Sequence, residues 1–121
     1  MEHESTFAYS PVTAPGVIVK IRKMTFGRRC ELLGQVGDLV KKAMFFEAGA
    51  GPENQLPAAQ ERHAADAMLL QWAIESIHGL TIDGEEATAS LVIKAGPEEL
   101  AIELVGVIHN QLGLTSEEIK N

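Results

Sequence analysis

Glycine and proline divide most of this chain into short segments, and the segments carry the three-to-four spacing of apolar residues that is typical of helices. The breaks fall at residues 49–52 (Gly-Ala-Gly-Pro), at Gly79, at Gly96-Pro97 and at Gly113. Both residue types are unfavourable inside a helix, so we expect helices to end at these positions. The sequence therefore predicts several separate helices.

The segments predict three main helices and two shorter ones. Thr25 is placed to cap the first main helix, and Pro57 and Pro97 fit the first turns of the second and third. Cys30 falls on the apolar stripe of the first helix, where we expect a buried thiol. The main helices are predicted over residues 26–48, 57–78 and 97–112, and the shorter ones over 87–95 and from residue 115 onward.

One segment has the alternation of a strand instead. Val17, Val19 and Ile21 alternate along residues 16–24 with Ile18, Lys20 and Arg22. This pattern predicts a strand with one buried face and one basic face. A lone strand leaves its backbone groups unpaired, so it needs a partner. The candidates are residues 80–82, which would give a small two-stranded pairing, or an edge on another protein. The predicted fold class is thus mainly α, with an N-terminal strand.

The length of 121 residues fits one domain. We assign residues 1–15, with two prolines and little periodicity, to a mobile N-terminal arm. Residues 16–121 form the single, mainly helical domain. No apolar run approaches the roughly 20 residues of a membrane-spanning helix, and the acidic first residues do not resemble a secretory signal. A soluble protein inside the cell is expected.

Charge is distributed unevenly along the chain. Residues 16–48 carry seven basic side chains against three acidic ones, whereas residues 49–121 carry twelve acidic against three basic. Both halves could present solvated faces, or the basic segment could dock on an acidic surface of its own chain or of a second copy. The net charge of −7 disfavours nucleic acid as a partner, despite the basic cluster around Arg28.

The side chains suggest neither catalysis nor a bound cofactor. His63 and Asp66 are spaced to share one helix face, but a third metal ligand is missing from the pattern. The paired glutamates fall at turns or helix starts, where capping and the helix dipole account for them. We therefore expect a non-enzymatic protein without a metal ion or cofactor.

The remaining class is a protein-binding module. An alternating strand with a basic flank and two adjacent phenylalanines suggest surfaces that need a partner, although the same residues could close the protein's own core. The residues predicted to contact a partner are Val17, Val19, Ile21, Arg22, Arg28, Arg29, Phe45 and Phe46.

Three runs in the second half carry a family resemblance. They are Gly79-Leu80-Thr81-Ile82-Asp83-Gly84-Glu85, preceded by Trp72 and followed by Ala87-Thr88; Gly96-Pro97-Glu98-Glu99-Leu100; and Gly113-Leu114-Thr115-Ser116-Glu117-Glu118-Ile119-Lys120-Asn121. Together they resemble the tail assembly chaperones of long-tailed phages and prophages. The resemblance covers residues 70–121, and residues 16–48 fit it in general character only.

The resemblance implies a mostly helical, non-enzymatic protein in the cytoplasm of a bacterial host. Its partner would be the tape measure protein, or another tail protein, which it would keep soluble until the tail tube polymerises around it. Self-association is also implied. A structural tail, connector or tail-completion subunit of the virion remains the alternative, followed by a small nucleic-acid-associated regulator.

Overall fold

The computed structural model describes residues 1–48 and 55–112. In these ranges the chain forms four helices and two small antiparallel sheets, so it is an α/β mixture. The prediction of a mainly α fold with a single strand is therefore wrong. The elements are β1 (Thr6–Tyr9), β2 (Ile18–Arg22), α1 (Phe26–Ala48), α2 (Gln55–Ala73), β3 (Ile74–His78), β4 (Thr81–Ile82), β5 (Glu85–Glu86), α3 (Ala89–Ala95) and α4 (Glu98–Leu112).

The predicted strand is the centre of a three-stranded sheet in the order β1-β2-β3. Phe7 pairs with Ile21 on one side, and Ile77 pairs with Val19 on the other. Strand β3 occupies the last residues of the second predicted helix, so that helix ends five residues earlier than expected. Part of the predicted N-terminal arm is thus held in the sheet as β1.

Residues 80–82 do not pair with β2. Strand β4 instead forms a two-residue hairpin with β5 around Asp83 and Gly84. Both turn residues have positive φ, at 51° and 82°, as a hairpin turn of this length requires. The Asp-Gly pair therefore fixes a local hairpin, and the central strand takes its partners from elsewhere in the chain.

The inner face of α1 differs from the predicted one. Leu32 is fully buried, whereas Cys30 is exposed and Phe26 is 88% exposed. Arg28 and Arg29 share the inward face with Leu32, because positions three and four apart in a helix lie on one side. Their side chains reach carbonyl groups of other segments, which turns Cys30 towards solvent. The prediction of a buried thiol is wrong.

The boundary between the two C-terminal helices lies at the predicted Gly96-Pro97 break. The Thr88 hydroxyl accepts a hydrogen bond from the backbone N–H of Leu91 and so caps α3, which ends at Gly96. Helix α4 begins after Pro97. The predicted break at 49–52, Gly113 and the predicted last helix lie outside the described residues. The core joins the sheet to these helices, and its fully buried large side chains are Val19, Ile21, Leu32, Leu69, Val92, Leu100, Leu104 and Ile108.

Glu103 on α4 fastens the segment that follows β1. Its carboxylate accepts hydrogen bonds from the Tyr9 hydroxyl, from the backbone N–H of Val12 at 2.9 Å, and from both the N–H and the hydroxyl of Thr13, at 2.9 and 2.7 Å. The bonds from Tyr9 and Thr13 are the main reason that the pKa of Glu103 falls from 4.5 to about 2. The ionised carboxylate is therefore the form that holds this segment.

Replacing Glu103 with glutamine is expected to lower the free energy of unfolding by about 1 kcal/mol near neutral pH, since the amide oxygen cannot accept all four bonds and the site is partly exposed. A folded-state pKa below the unfolded value stabilises the fold above pH 4.5, and this contribution disappears as the pH falls from 4.5 towards 2. Urea titrations of both proteins at several pH values measure the difference, which should shrink across that window. A difference that is constant with pH would contradict the assignment.

Candidate functional site

A groove of about 560 Å³ runs between α2 and α4, with one contribution from α3. Ala64, Ala67 and Leu70 line it on α2, and Ala101, Ile102 and Val105 line it on α4. Helix α2 packs against both α3 and α4, so the groove lies between helices that are in contact with one another. The groove is therefore an apolar depression built on secondary structure.

Short side chains explain why the groove remains open. Alanine at three wall positions fills little of the space between the helices, while the larger Ile93 and Ile102 stand at the sides. Ile102 is 65% exposed and Ile93 is 38% exposed. A large aliphatic side chain that is exposed beside an apolar groove has surface area left to bury against a ligand.

Polar and charged side chains complete the lining. Gln60, His63 and Asp66 come from α2, and Glu98 comes from the first turn of α4. Asp66 Oδ1 lies 3.8 Å from His109 Nε2 on α4. Partial burial raises the pKa of the Asp66 carboxyl, while neighbouring His109, His63 and Arg62 oppose that shift. The lining therefore contains two carboxyl groups, those of Asp66 and Glu98, and Glu98 is exposed to solvent.

In the folded chain His109 also lies near the His63–Asp66 pair, but the three side chains do not have the geometry of a metal site. Among residues 1–48 and 55–112, the structure contains no group of three or more histidine, cysteine or acidic side chains arranged to hold a metal ion. The pair instead contributes polar contacts at the edge of the groove. What the arrangement can do chemically is bind an apolar surface next to negative charge.

The structure places three of the predicted contact residues in the core. Val19 and Ile21 lie on the inward face of β2, and Val17 directly precedes this strand; all three are buried. In this fold they belong to the hydrophobic core, together with buried residues of the helices and of β3. The alternation correctly predicted the strand, but the buried face closes the protein's own core.

The predicted arginines occupy two kinds of position. Arg28 Nη1 donates to the carbonyl oxygens of Ser5, at 2.8 Å, and Lys23, at 2.9 Å. Arg29 Nη2 donates to the carbonyl oxygen of Gln111 at 3.1 Å, near the end of α4. Both side chains therefore link segments of this chain, whereas Arg22 is exposed at the end of β2.

The groove was not among the predicted sites. One sequence signal does point to it, since Ile102 lies on the opposite side of α4 from the buried stripe of Leu100, Leu104 and Ile108. A β-branched aliphatic residue on the polar side of an amphipathic helix indicates a surface that a ligand could cover. The side chains of Phe45 and Phe46 lie outside those that the structure describes.

Within the described ranges, no helix combines the length and the apolar character needed to cross a membrane. Comparisons of the chain with protein-family models, with curated proteins and with solved structures find no match.

Proposed function

We propose that this protein is a non-enzymatic tail assembly chaperone of a phage or prophage, which binds the tape measure protein and keeps it soluble during tail tube assembly. The observation that carries the proposal is the solvent-open apolar groove between α2, α3 and α4, with Ile93 and Ile102 exposed at its sides. The second support is the resemblance of residues 70–121 to that family.

The groove fits the physical task of such a chaperone. A long apolar partner stays in solution only if its apolar side chains are covered, and the cover must itself be soluble. Here the apolar surface is recessed between two helices in a chain of net charge −7, which opposes its own aggregation.

The size of the groove also predicts the stoichiometry. The α4 wall extends from Glu98 to Val105, which corresponds to about 10 Å along the helix axis. One copy can therefore cover only a short segment of a long partner. We expect several copies to bind along each tape measure chain.

Co-expression with the tape measure protein encoded in the same genome tests the proposal. We expect the tape measure protein to move from the pellet to the soluble fraction and to elute with several copies of this chain, as measured by size-exclusion chromatography with light scattering. If the tape measure protein stays insoluble and this chain is found in purified particles, the protein is a structural tail subunit and the proposal is wrong.

A further inference from the structure

The shape of the groove selects among possible occupants. A small apolar molecule is held best in a cavity that encloses most of its surface, whereas this groove is open along one side and Ile102 stands 65% exposed. An extended peptide needs a strand edge with free backbone groups, but the walls here are helices, whose backbone groups bond within each helix. A second helix needs neither enclosure nor a free edge.

The dimensions agree with a helix of two to three turns in contact. The α2 wall, from Gln60 to Leu70, corresponds to about 15 Å, and the α4 wall to about 10 Å. A helix that anchors through positions i, i+3, i+4 and i+7 presents its apolar side chains over about 10 Å. Such a helix can place all four anchors between the two walls.

The charges indicate what flanks those anchors. Asp66 and Glu98 line the groove, and none of the described lining residues is lysine or arginine. Asp66 already has His109, His63 and Arg62 near it, whereas Glu98 is exposed in the first turn of α4. A basic side chain beside the apolar stripe of the partner would meet this carboxylate, and an acidic one would be repelled.

We propose that the groove binds one amphipathic helix whose apolar stripe is flanked by lysine or arginine, with the basic flank next to Glu98. The proposal rests on the proposed function and deepens it, because it names the kind of tape measure segment that the chaperone recognises. Segments with apolar i, i+3, i+4, i+7 spacing and a basic flank are bound, and equally apolar segments with an acidic flank are not.

Two synthetic helical peptides of about 18 residues test the charge requirement. Both carry leucine at the four anchor positions, and they differ only in having lysine or glutamate in the flanking positions. We expect the full-length protein to bind the lysine peptide at least tenfold more tightly by fluorescence anisotropy, with an affinity that falls as salt rises. Equal affinities for the two peptides would overturn the proposal.

Two matched pairs of variants locate the binding site. Ile102→Ser should weaken binding of the lysine peptide about tenfold, whereas Ile18→Ser, at an exposed isoleucine on the sheet, should not change it. Glu98→Lys should weaken binding of the lysine peptide severalfold. Glu99→Lys makes the same change of charge in the same helical turn but outside the groove lining, so it should have a smaller effect. Circular dichroism verifies that each variant is folded. Equal effects within either pair would place the site elsewhere.

Two further measurements separate the possible failures. The first is the oligomeric state by light scattering. If the wild type is a dimer, if Ile102→Ser is a monomer, and if neither peptide binds, then a second copy covers the groove and the proposal is overturned. If the groove variants still solubilise the tape measure protein fully, the chaperone function stands and the groove inference fails. If the lysine peptide binds as expected but the tape measure protein remains insoluble, the helix specificity stands and the chaperone function fails.

Discussion

Replacing Ile21 with alanine is expected to lower the free energy of unfolding by about 3–4 kcal/mol. Ile21 is fully buried in the central strand, where it pairs with Phe7 of β1 and with Ile74 of β3. The substitution removes three carbon atoms from a site that is surrounded by other core side chains, and the surrounding structure can relax only in part. Urea denaturation followed by circular dichroism measures the loss.

Ile18→Ala is the matched control, since Ile18 lies on the same strand but is 46% exposed. It should lower the free energy of unfolding by less than about 1 kcal/mol, because the side chain of Ile18 buries only part of its apolar surface. The comparison also decides the role of a predicted contact residue. If Ile21→Ala leaves the protein as stable as Ile18→Ala does, and weakens partner binding instead, the strand presents a binding surface and the core assignment is wrong.

Features that depend on adjacent residues could be predicted from the sequence. The bounds of α1 at 26–48 are confirmed, and the Thr25 hydroxyl accepts a hydrogen bond from the backbone N–H of Arg28 at its start. Helix α3 ends at Gly96 as expected, and it begins two residues later than predicted, after the Thr88 cap. Capping and helix termination are decided within a few residues, so the sequence pattern contains the information that they need.

Strand β3 was predicted as helix because its apolar spacing resembles that of a helix. Ile74 and Ile77 are three apart, and both are buried, although they belong to a strand. The pairing register shifts between Lys20 and Ile21, so that Glu75 is an extra residue opposite β2. In a regular strand, residues that face the same side are two apart, and a bulge of this kind makes that separation three. The position of the bulge depends on pairing with a strand about 55 residues away, which no local pattern reveals.

The inward face of α1 was missed for a similar reason. Apolar residues occur on more than one side of this helix, so periodicity alone does not identify the buried one. The choice is made by Arg28 and Arg29, whose acceptors are carbonyl oxygens of Ser5, Lys23 and Gln111. Such acceptors belong to no motif, and one of them is 82 residues away from its donor.

The groove is harder still to predict, because it forms where short side chains leave the space between two helices unfilled. Alanine favours a helix wherever it occurs, and nothing in the sequence distinguishes the alanines that line a groove from those on any other helix surface. Only the packing of α2 against α4 brings Ala64, Ala67 and Ala101 to one depression. Ile102, on the polar side of α4, was the one residue whose position could have suggested a site.

Replacing Gly79 with alanine is expected to lower the free energy of unfolding by about 2–4 kcal/mol. Gly79 joins β3 to β4 with φ +86°, in the left-handed region that side chains disfavour. A Cβ atom at this position would also lie 2.8 Å from the carbonyl oxygen of Gly16, in the turn that leads into β2. Backbone atoms would have to shift in one of the two turns, so steric repulsion adds to the conformational cost.

Gly84→Ala separates the two contributions. Gly84 has nearly the same backbone conformation, φ +82°, but a Cβ atom added there would have no atom within 4 Å beyond its immediate chain neighbours. Its substitution should therefore cost only the conformational term, about 1 kcal/mol. Urea denaturation of both variants measures the difference. Equal losses would mean that the turn at Gly16 yields freely, and that the sheet does not depend on the close approach of these two turns.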